Sequence, residues 1–325
     1  MEAKLVSYII PVYNVSAYIE RCAKSLFTQT YGDIEFIFIN DCSTDDSEVK
    51  LRKVIELFPN VQCRVKIISN KTNLGSATTR NIGLSNATGD YVMFADSDDW
   101  VESNYVESMV NTIEASEKDI VYCDYYESFK DQDKYVKQDY GEEHLECICS
   151  MLTRAMHGST CNKIFRRKIL LQSNLTFVDG ADLFEDVGWN VRLFAYTNRI
   201  GYLPLAFYHY IQYNDNSIIK SMSSAVFSRK RALQRLENVR VACEYLTSLG
   251  LDGRLSIGMK EWKLMAKNDL IDEKDDSSLQ TWVETFPEAD SAILACNKIT
   301  WKYKLLLMCL HYRVYWLYHL LQKIR

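Results

Sequence analysis

The chain has 325 residues, a net charge of −5, and apolar and charged fractions of 47% and 25%. That length suits about two domains and that composition an ordinary globular protein with a large core. It excludes a disordered, collagenous or coiled-coil chain, and 12 Gly with 4 Pro exclude a low-complexity linker. The acidic balance argues against bulk nucleic-acid binding. The ten Cys form no C-x-x-C, and Cys147 and Cys149 stand too close for a zinc knuckle. The start, MEAKLVSYIIPVYN, lacks a signal-peptide pattern. These features predict a cytoplasmic location with thiols that are mostly buried and inert. No apolar run reaches the ~18 residues of a membrane span.

In chain order, Val6 to Ile10 reads as a buried first strand stopped by Pro11. Helical spacing follows from Val15 to Tyr31, with Ser16 as its expected cap. Ile34 to Ile39 is the second strand, and Ser43 is expected to cap a helix through Phe58. Val65 to Ser69 is the third strand, Thr79 to Asn86 belongs to a helix, and Tyr91 to Ala95 is the fourth strand. A helix from about Ser103 to Glu117 and a fifth strand, Asp119 to Asp124, complete the alternation. Strand–helix alternation predicts a mostly parallel α/β sheet with helices on both faces, and ligands at the carboxyl ends of its strands. Further on, helices are expected at 142–155 and 186–198 and a strand from Ile200 to Tyr210. Beyond about residue 220 the patterns at 225–249, 256–270 and 300–325 are helical, and Asp272 to Asp276 reads as a solvated connection.

The chemistry-bearing clusters fall at predicted strand ends. Asp96, Ser97, Asp98 and Asp99 follow the fourth strand directly. Carboxylates crowded there repel one another, and a hard divalent cation such as Mn²⁺ or Mg²⁺ would relieve that repulsion. The competing reading is an acidic turn with Asp99 or Ser103 as a helix cap. Asp41, in the run Asn40 to Asp45 after the second strand, can accept hydrogen bonds from a base or ribose. Ser43 and Asp45 fit turn or cap duties better. Pro11, Val12, Tyr13 and Asn14, at the end of the first strand, can floor a base pocket or form a simple turn.

Taken in order, PVYN, NDCSTDDS, NLGSATTRNIGL and TGDYVMFADSDDW resemble the family 2 glycosyltransferases, which have the GT-A fold and use nucleotide-sugar donors. The resemblance is strong over about residues 5–125. It continues more weakly through CNKIFRRKIL (Cys161 to Leu170), LFEDVGWNVRL (Leu183 to Leu193) and YHYIQYNDNSI (Tyr208 to Ile218). It implies a GT-A catalytic domain over 1–220, its nucleotide-binding part about 1–125 and its acceptor part about 126–220, followed by a helical region over 221–325. It places Asp96 and Asp98 on the D-x-D motif, with Asp98 on the metal and Asp96, with Ser97 between, facing ribose or diphosphate. It puts Asp41 on the base, usually uracil, framed by Pro11, Val12 and Tyr13 with Asn14. Arg80 and Asn81 match an RN pair near the donor. Glu185-Asp186 matches an ED motif whose aspartate is the catalytic base. Asn40 stands where a second acidic residue is common, and Cys42 where glycine is usual.

The remaining candidates carry two readings each. His209 can be a third metal ligand, a diphosphate contact or a packed residue. Lys163 and Arg166 can neutralise phosphate or sit on the surface. Trp100 and Trp189 can stack on sugars or fill core. From Lys298 to Arg325 the chain holds six Lys or Arg and no acid. The aromatic, basic stretch Trp301 to Arg325 resembles an interfacial membrane helix, or else packs on the catalytic domain or a second subunit. The function expected is transfer of a sugar from a nucleotide-sugar to a glycan or lipid-linked acceptor in polysaccharide synthesis, at the inner face of the plasma membrane if the tail binds it. A sugar nucleotidyltransferase would need a Gly- and basic-rich loop where PVYNVSAY stands. A non-catalytic binding module would not need Asp41, Asp96, Asp98 and Asp186 together.

Overall fold

A computed structural model describes residues 4–214, 229–272 and 275–323. Its strands are β1 (Val6–Val12), β2 (Ile34–Asn40), β3 (Val65–Ser69), β4 (Tyr91–Phe94), β5 (Trp100–Val101), β6 (Ile120–Ser128), β7 (Asp133–Val136), β8 (Lys163–Arg166) and β9 (Ile200–Ile211). Among the described residues these form one sheet in the order β3-β2-β1-β4-β8-β6-β9-β5, with β7 beside β6. The apolar runs of β1, β2 and β4 are buried almost throughout, as expected of strands covered on both faces.

The first four strands are parallel, so their carboxyl ends share one edge. The sheet is then mixed rather than uniformly parallel. β8 inserts antiparallel between β4 and β6, so the fifth predicted strand does not neighbour the fourth. β6 and β9 return to parallel pairing, and β5 lies antiparallel at the far edge. A four-residue strand of KIFR carries too little alternation to announce itself.

The helices are α1 (Ile19–Phe27), α2 (Ser47–Glu56), α3 (Pro59–Gln62), α4 (Ser76–Asn86), α5 (Tyr105–Ala115), α6 (His144–Leu152), α7 (Arg167–Ser173), α8 (Glu185–Tyr196), α9 (Arg229–Ser248), α10 (Asp252–Lys267), α11 (Asp276–Glu284), α12 (Trp301–His311) and α13 (Tyr315–Gln322). Two expected caps are not used. α1 starts after Tyr18, and the Ser16 N–H instead donates to Asp45 Oδ2 at 2.9 Å. α2 starts at Ser47, while Ser43 Oγ accepts from the Asn14 N–H at 3.1 Å. Both serines tie loops together across strand ends. At the end of the expected 272–276 connection, Asp275 accepts from the Ser277 N–H and caps α11, which starts at Asp276. The helix expected over 300–325 is two helices broken around Arg313, which sits at φ 56°. Residues 225–228 of the expected 225–249 helix, Asp215 to Ile218 of the YHYIQYNDNSI segment, and the last two residues of the tail lie outside the described residues.

The main apolar core runs from β1 to Leu270, so α9 and α10 pack into the same core as the sheet. A second, smaller cluster joins Leu264 with Leu279, Trp282, Ile293, Leu307, Leu310 and Tyr318. α10 feeds both clusters and ties the carboxyl-terminal helices to the body.

Candidate active site

The parallel strands deliver three loops to one edge. Asp41, next after β2, is buried, and its carboxylate holds the loop after β3. Oδ1 accepts from Asn70 Nδ2 and the Leu74 N–H, both at 2.8 Å, and Oδ2 accepts from the Gly75 N–H at 2.9 Å. Asp41 is thus first an organiser of the 70–75 loop, with lone-pair capacity left on Oδ2 for a further donor. Val12 is core, and its carbonyl accepts from the Asp41 N–H at 2.8 Å. Pro11 lies within β1, Tyr13 is exposed, and Asn14 Oδ1 accepts from the Thr44 N–H at 2.8 Å. Cys42 adopts φ 61°, the left-handed region that glycine occupies without strain. Asn40 is spent on structure: its Oδ1 accepts from the Ser43 N–H and its amide donates to Glu48.

Beyond β4 the acidic turn divides its labour. Asp99 is buried and serves the fold: it accepts from Tyr208 Oη at 2.5 Å and from the Ile211 N–H at 2.8 Å. That fixes the turn on β9 and replaces the cap role expected of it. Asp98 is partly exposed and accepts from Asn214 Nδ2 at 2.8 Å. Burial, then the charge of Asp96, raises its carboxyl pKa above the ordinary value. The Asp96 N–H donates to Tyr208 Oη, and its Oδ1 turns to Arg80. Ser97 is buried within the turn.

Arg80, on α4, is the centre of the site. Its nearly buried guanidinium donates through Nη2 to Asp96 at 2.9 Å and through Nη1 to Glu185 at 2.6 Å, with Asp186 Oδ1 at 3.3 Å. Burial works against its charge, but Asp186, Asp96 and Glu185 outweigh it and keep it protonated. Glu185 also accepts from Ser76 Oγ at 2.7 Å. Burial and the neighbouring Asp186 push Glu185 up to about 7 against the pull of Arg80. Asp186 is likewise raised by burial, and its Oδ1 makes no hydrogen bond. An aspartate with raised proton affinity, whose Oδ1 is ion-paired with Arg80 but not hydrogen-bonded, has the properties of a general base.

α8 presents this pair from its first turn, after Phe184 in a strained left-handed conformation at φ 61°. Long-range contacts that no local pattern announces hold it there. Asp182 accepts from the Ala77 N–H at 3.0 Å and so caps α4 from a distant loop. This needs Gly75 at the cap position, because a Cβ there would lie 2.2 Å from Asp182 Oδ2. Asn238 of α9 donates to the carbonyls of Ala181 and Leu183 at 2.7 and 2.9 Å. The guanidiniums of Arg235 and Arg154 lie 4.3 and 4.8 Å from the centre of the Phe184 ring. The helical region after residue 229 therefore grips the loop that aims Asp186. Asn81 matches its neighbour in sequence but not in place: it bonds Phe177 and Asp179 and pins that same loop to α4.

The other candidates are engaged in structural contacts. Both ring nitrogens of His209 are engaged, Nε2 with Glu102 at 3.0 Å and Nδ1 with Ser128 Oγ at 3.0 Å. Its ring is stacked between Trp100 and Tyr126. This is the packed-histidine geometry rather than that of a metal ligand, and it accounts for Trp100 as well. Lys163 is wholly buried, not on the surface: its ammonium bonds Asn162 Oδ1 and the carbonyls of Ser159 and His157, and burial lowers its pKa to about 8. Arg166 ties β8 to Lys118, Tyr91 and Ile113. Trp189 is core, stacked on Phe177. No group of three His, Cys, Asp or Glu side chains among the described residues is arranged to hold a metal ion.

The sequence matches the model of the family described as Glycosyl transferase family 2 over residues 7–172. EpsH of Bacillus subtilis (strain 168), which bears a glycosyltransferase name, is 32% identical over 242 residues, 72% of this chain and 68% of that protein. Glycosyltransferase GlyA of Streptococcus pneumoniae is 31% identical over 217 residues, 63% of this chain and 30% of that protein. Among solved structures, S. aureus TarS 1–349 in complex with UDP aligns over 98% of this chain and 90% of that one, at TM-score 0.61 and 20% identity. Likeness at that identity establishes the fold, which is GT-A with a helical region after it. The family match spans all four parallel strands whose ends carry the acidic groups, and on that ground the chain belongs to glycosyl transferase family 2.

Proposed function

We propose that the protein moves a sugar from a nucleotide-sugar donor, a UDP-hexose or UDP-N-acetylhexosamine, to a hydroxyl of a glycan or lipid-linked acceptor in polysaccharide synthesis, with inversion. The observation that carries this reading is the Arg80 bridge. It joins the turn after β4 to a helix that starts 105 positions beyond Arg80 and sets the donor-side acid Asp96 and the candidate base Asp186 around one guanidinium. UDP donors are favoured because structures of the same fold were solved with UDP and with UDP-GlcNAc. A related fold solved with GDP-Man keeps guanine donors as the second reading.

Asp98 suits a hard cation: its carboxylate is partly exposed, and the carboxylate of Asp96 stands two positions before it in the same turn. Asp98, with Asp96 beside it, would hold Mn²⁺ or Mg²⁺, and the cation would supply the charge that stabilises a leaving diphosphate. One or two protein carboxylates suffice when the substrate phosphates supply further oxygens. The chain's own residues do the rest. Asp41 and the loops it holds receive the base. Asp186 takes the acceptor hydroxyl proton as the acceptor oxygen bonds to the anomeric carbon and the bond from that carbon to the diphosphate oxygen breaks. One displacement inverts the centre and needs no enzyme nucleophile. Arg80, itself bonded to Glu185, holds Asp186 in place.

Calorimetric titration with UDP, GDP and dTDP, with and without Mn²⁺, tests the donor reading. UDP binding that strengthens with Mn²⁺ and weakens at least about tenfold in Asp98→Ala is expected, since a lost charged contact is worth about 1.5–3 kcal/mol. Tighter binding of GDP would transfer the proposal to guanine donors. No nucleotide binding by folded protein would contradict it.

A further inference from the structure

Helices α12 and α13 are two-sided. Leu306, Leu307, Leu310 and Tyr318 point into the second apolar cluster. On the opposite side Trp301 is 65% exposed, Tyr312 67% and Trp316 70%, with Leu305 and Leu320 also exposed. Residues 301, 305 and 312 follow one stripe of α12 and its end, and 316, 320 and 323 follow one stripe of α13. Lys302, Arg313 and Lys323 are exposed among these aromatics. Lys304 is turned inward to the Leu294 carbonyl at 2.6 Å and takes no part.

Charge decides what such a face fits. Six Lys or Arg and no acid lie between Lys298 and Arg325, in a chain whose net charge is −5. Two acids that meet these helices are already paired, Asp276 with His319 at 3.2 Å and Asp290 with Lys267 and His311 at 2.6 and 2.8 Å. Scattered exposed leucines mean little, but exposed Trp and Tyr interleaved with uncompensated basic side chains are the composition of a lipid–water interface. Aromatic rings settle among headgroups, and basic side chains reach anionic phosphates. No described helix is long and apolar enough to cross a membrane, so the contact is with the surface.

We propose that the outer face of α12 and α13 docks on an anionic lipid bilayer. This stands apart from the reading of the active site, because vesicle binding is measured without catalysis. The experiment is sedimentation of the full chain with phosphatidylglycerol-containing vesicles and with phosphatidylcholine vesicles, at low and high salt. Wild type is expected to bind the anionic vesicles, weakly at high salt, and to leave the neutral ones largely unbound. Trp301→Ser/Trp316→Ser and Lys302→Glu/Lys323→Glu, each checked for native circular dichroism, should each bind at least about tenfold more weakly. Equal binding by the natively folded variants would overturn the proposal, as would no binding by wild type. Self-association that disappears in Trp301→Ser/Trp316→Ser, without vesicle binding, would assign the face to a second copy of the chain instead.

Discussion

The two halves of the site are built in different ways. The proposed donor half hangs on the ends of four parallel strands, and its loops are tied to one another across neighbouring strand ends. The half that carries Asp186 has no such local support. Its helix is aimed by Arg80 and Asp182 across the sheet edge and by Asn238 and Arg235 from a region that follows it in the chain. A binding site can be made by repeating one local unit. A base that must meet it at a fixed distance is held by tertiary contacts from several directions.

Substitutions that separate the halves sharpen this contrast. Arg80→Ala should have the largest effect, because it strands three carboxylates around an empty space. A loss of about 3–5 kcal/mol in denaturant-measured stability is expected, together with loss of UDP release from UDP-sugars. Arg80→Lys keeps the charge without the fork and should fall between. Unchanged stability in Arg80→Ala would break the account of Arg80 as the bridge. Asn238→Ala removes two bonds to the loop before Asp186 and should cost about 1–3 kcal/mol. Its kinetic signature is the informative part: turnover falls while UDP affinity stays near wild type. Equal loss of both would mean that the two halves are not separately supported. Cys42→Gly should have the smallest effect and the opposite sign, a gain of about 1 kcal/mol as left-handed strain is relieved, with UDP affinity nearly unchanged.

The same contrast explains what could be read from the sequence. β1 to β4, α8 and β9 were legible because long apolar runs and helical spacing carry their own period. The acidic groups at 41, 96, 98 and 186 could be named as candidates because motifs ordered along the chain are more specific than any one of them. The partners of those groups were not. Nothing local tells that Asp41 will bond the 70–75 loop, that Asp182 will cap α4, or that Asn238 will grip residues 181–183. Ser16 and Ser43 were good cap residues in sequence, but bonds across strand ends claimed them. Lys163 read as a surface charge because burial of an ammonium depends on carbonyls supplied by the fold. The stacking of His209 between Trp100 and Tyr126 depends on strand pairing that single-chain patterns do not encode.

The central claim is that Asp186 is the base and the strand ends are the donor site, and Asp186→Asn tests it most directly. The measurement is UDP affinity beside the rate of UDP release from UDP-glucose, UDP-galactose and UDP-GlcNAc. The account predicts UDP affinity within a few-fold of wild type and release slower by about 10²–10⁴-fold on the donor that wild type uses. Release at the wild-type rate by Asp186→Asn would contradict it.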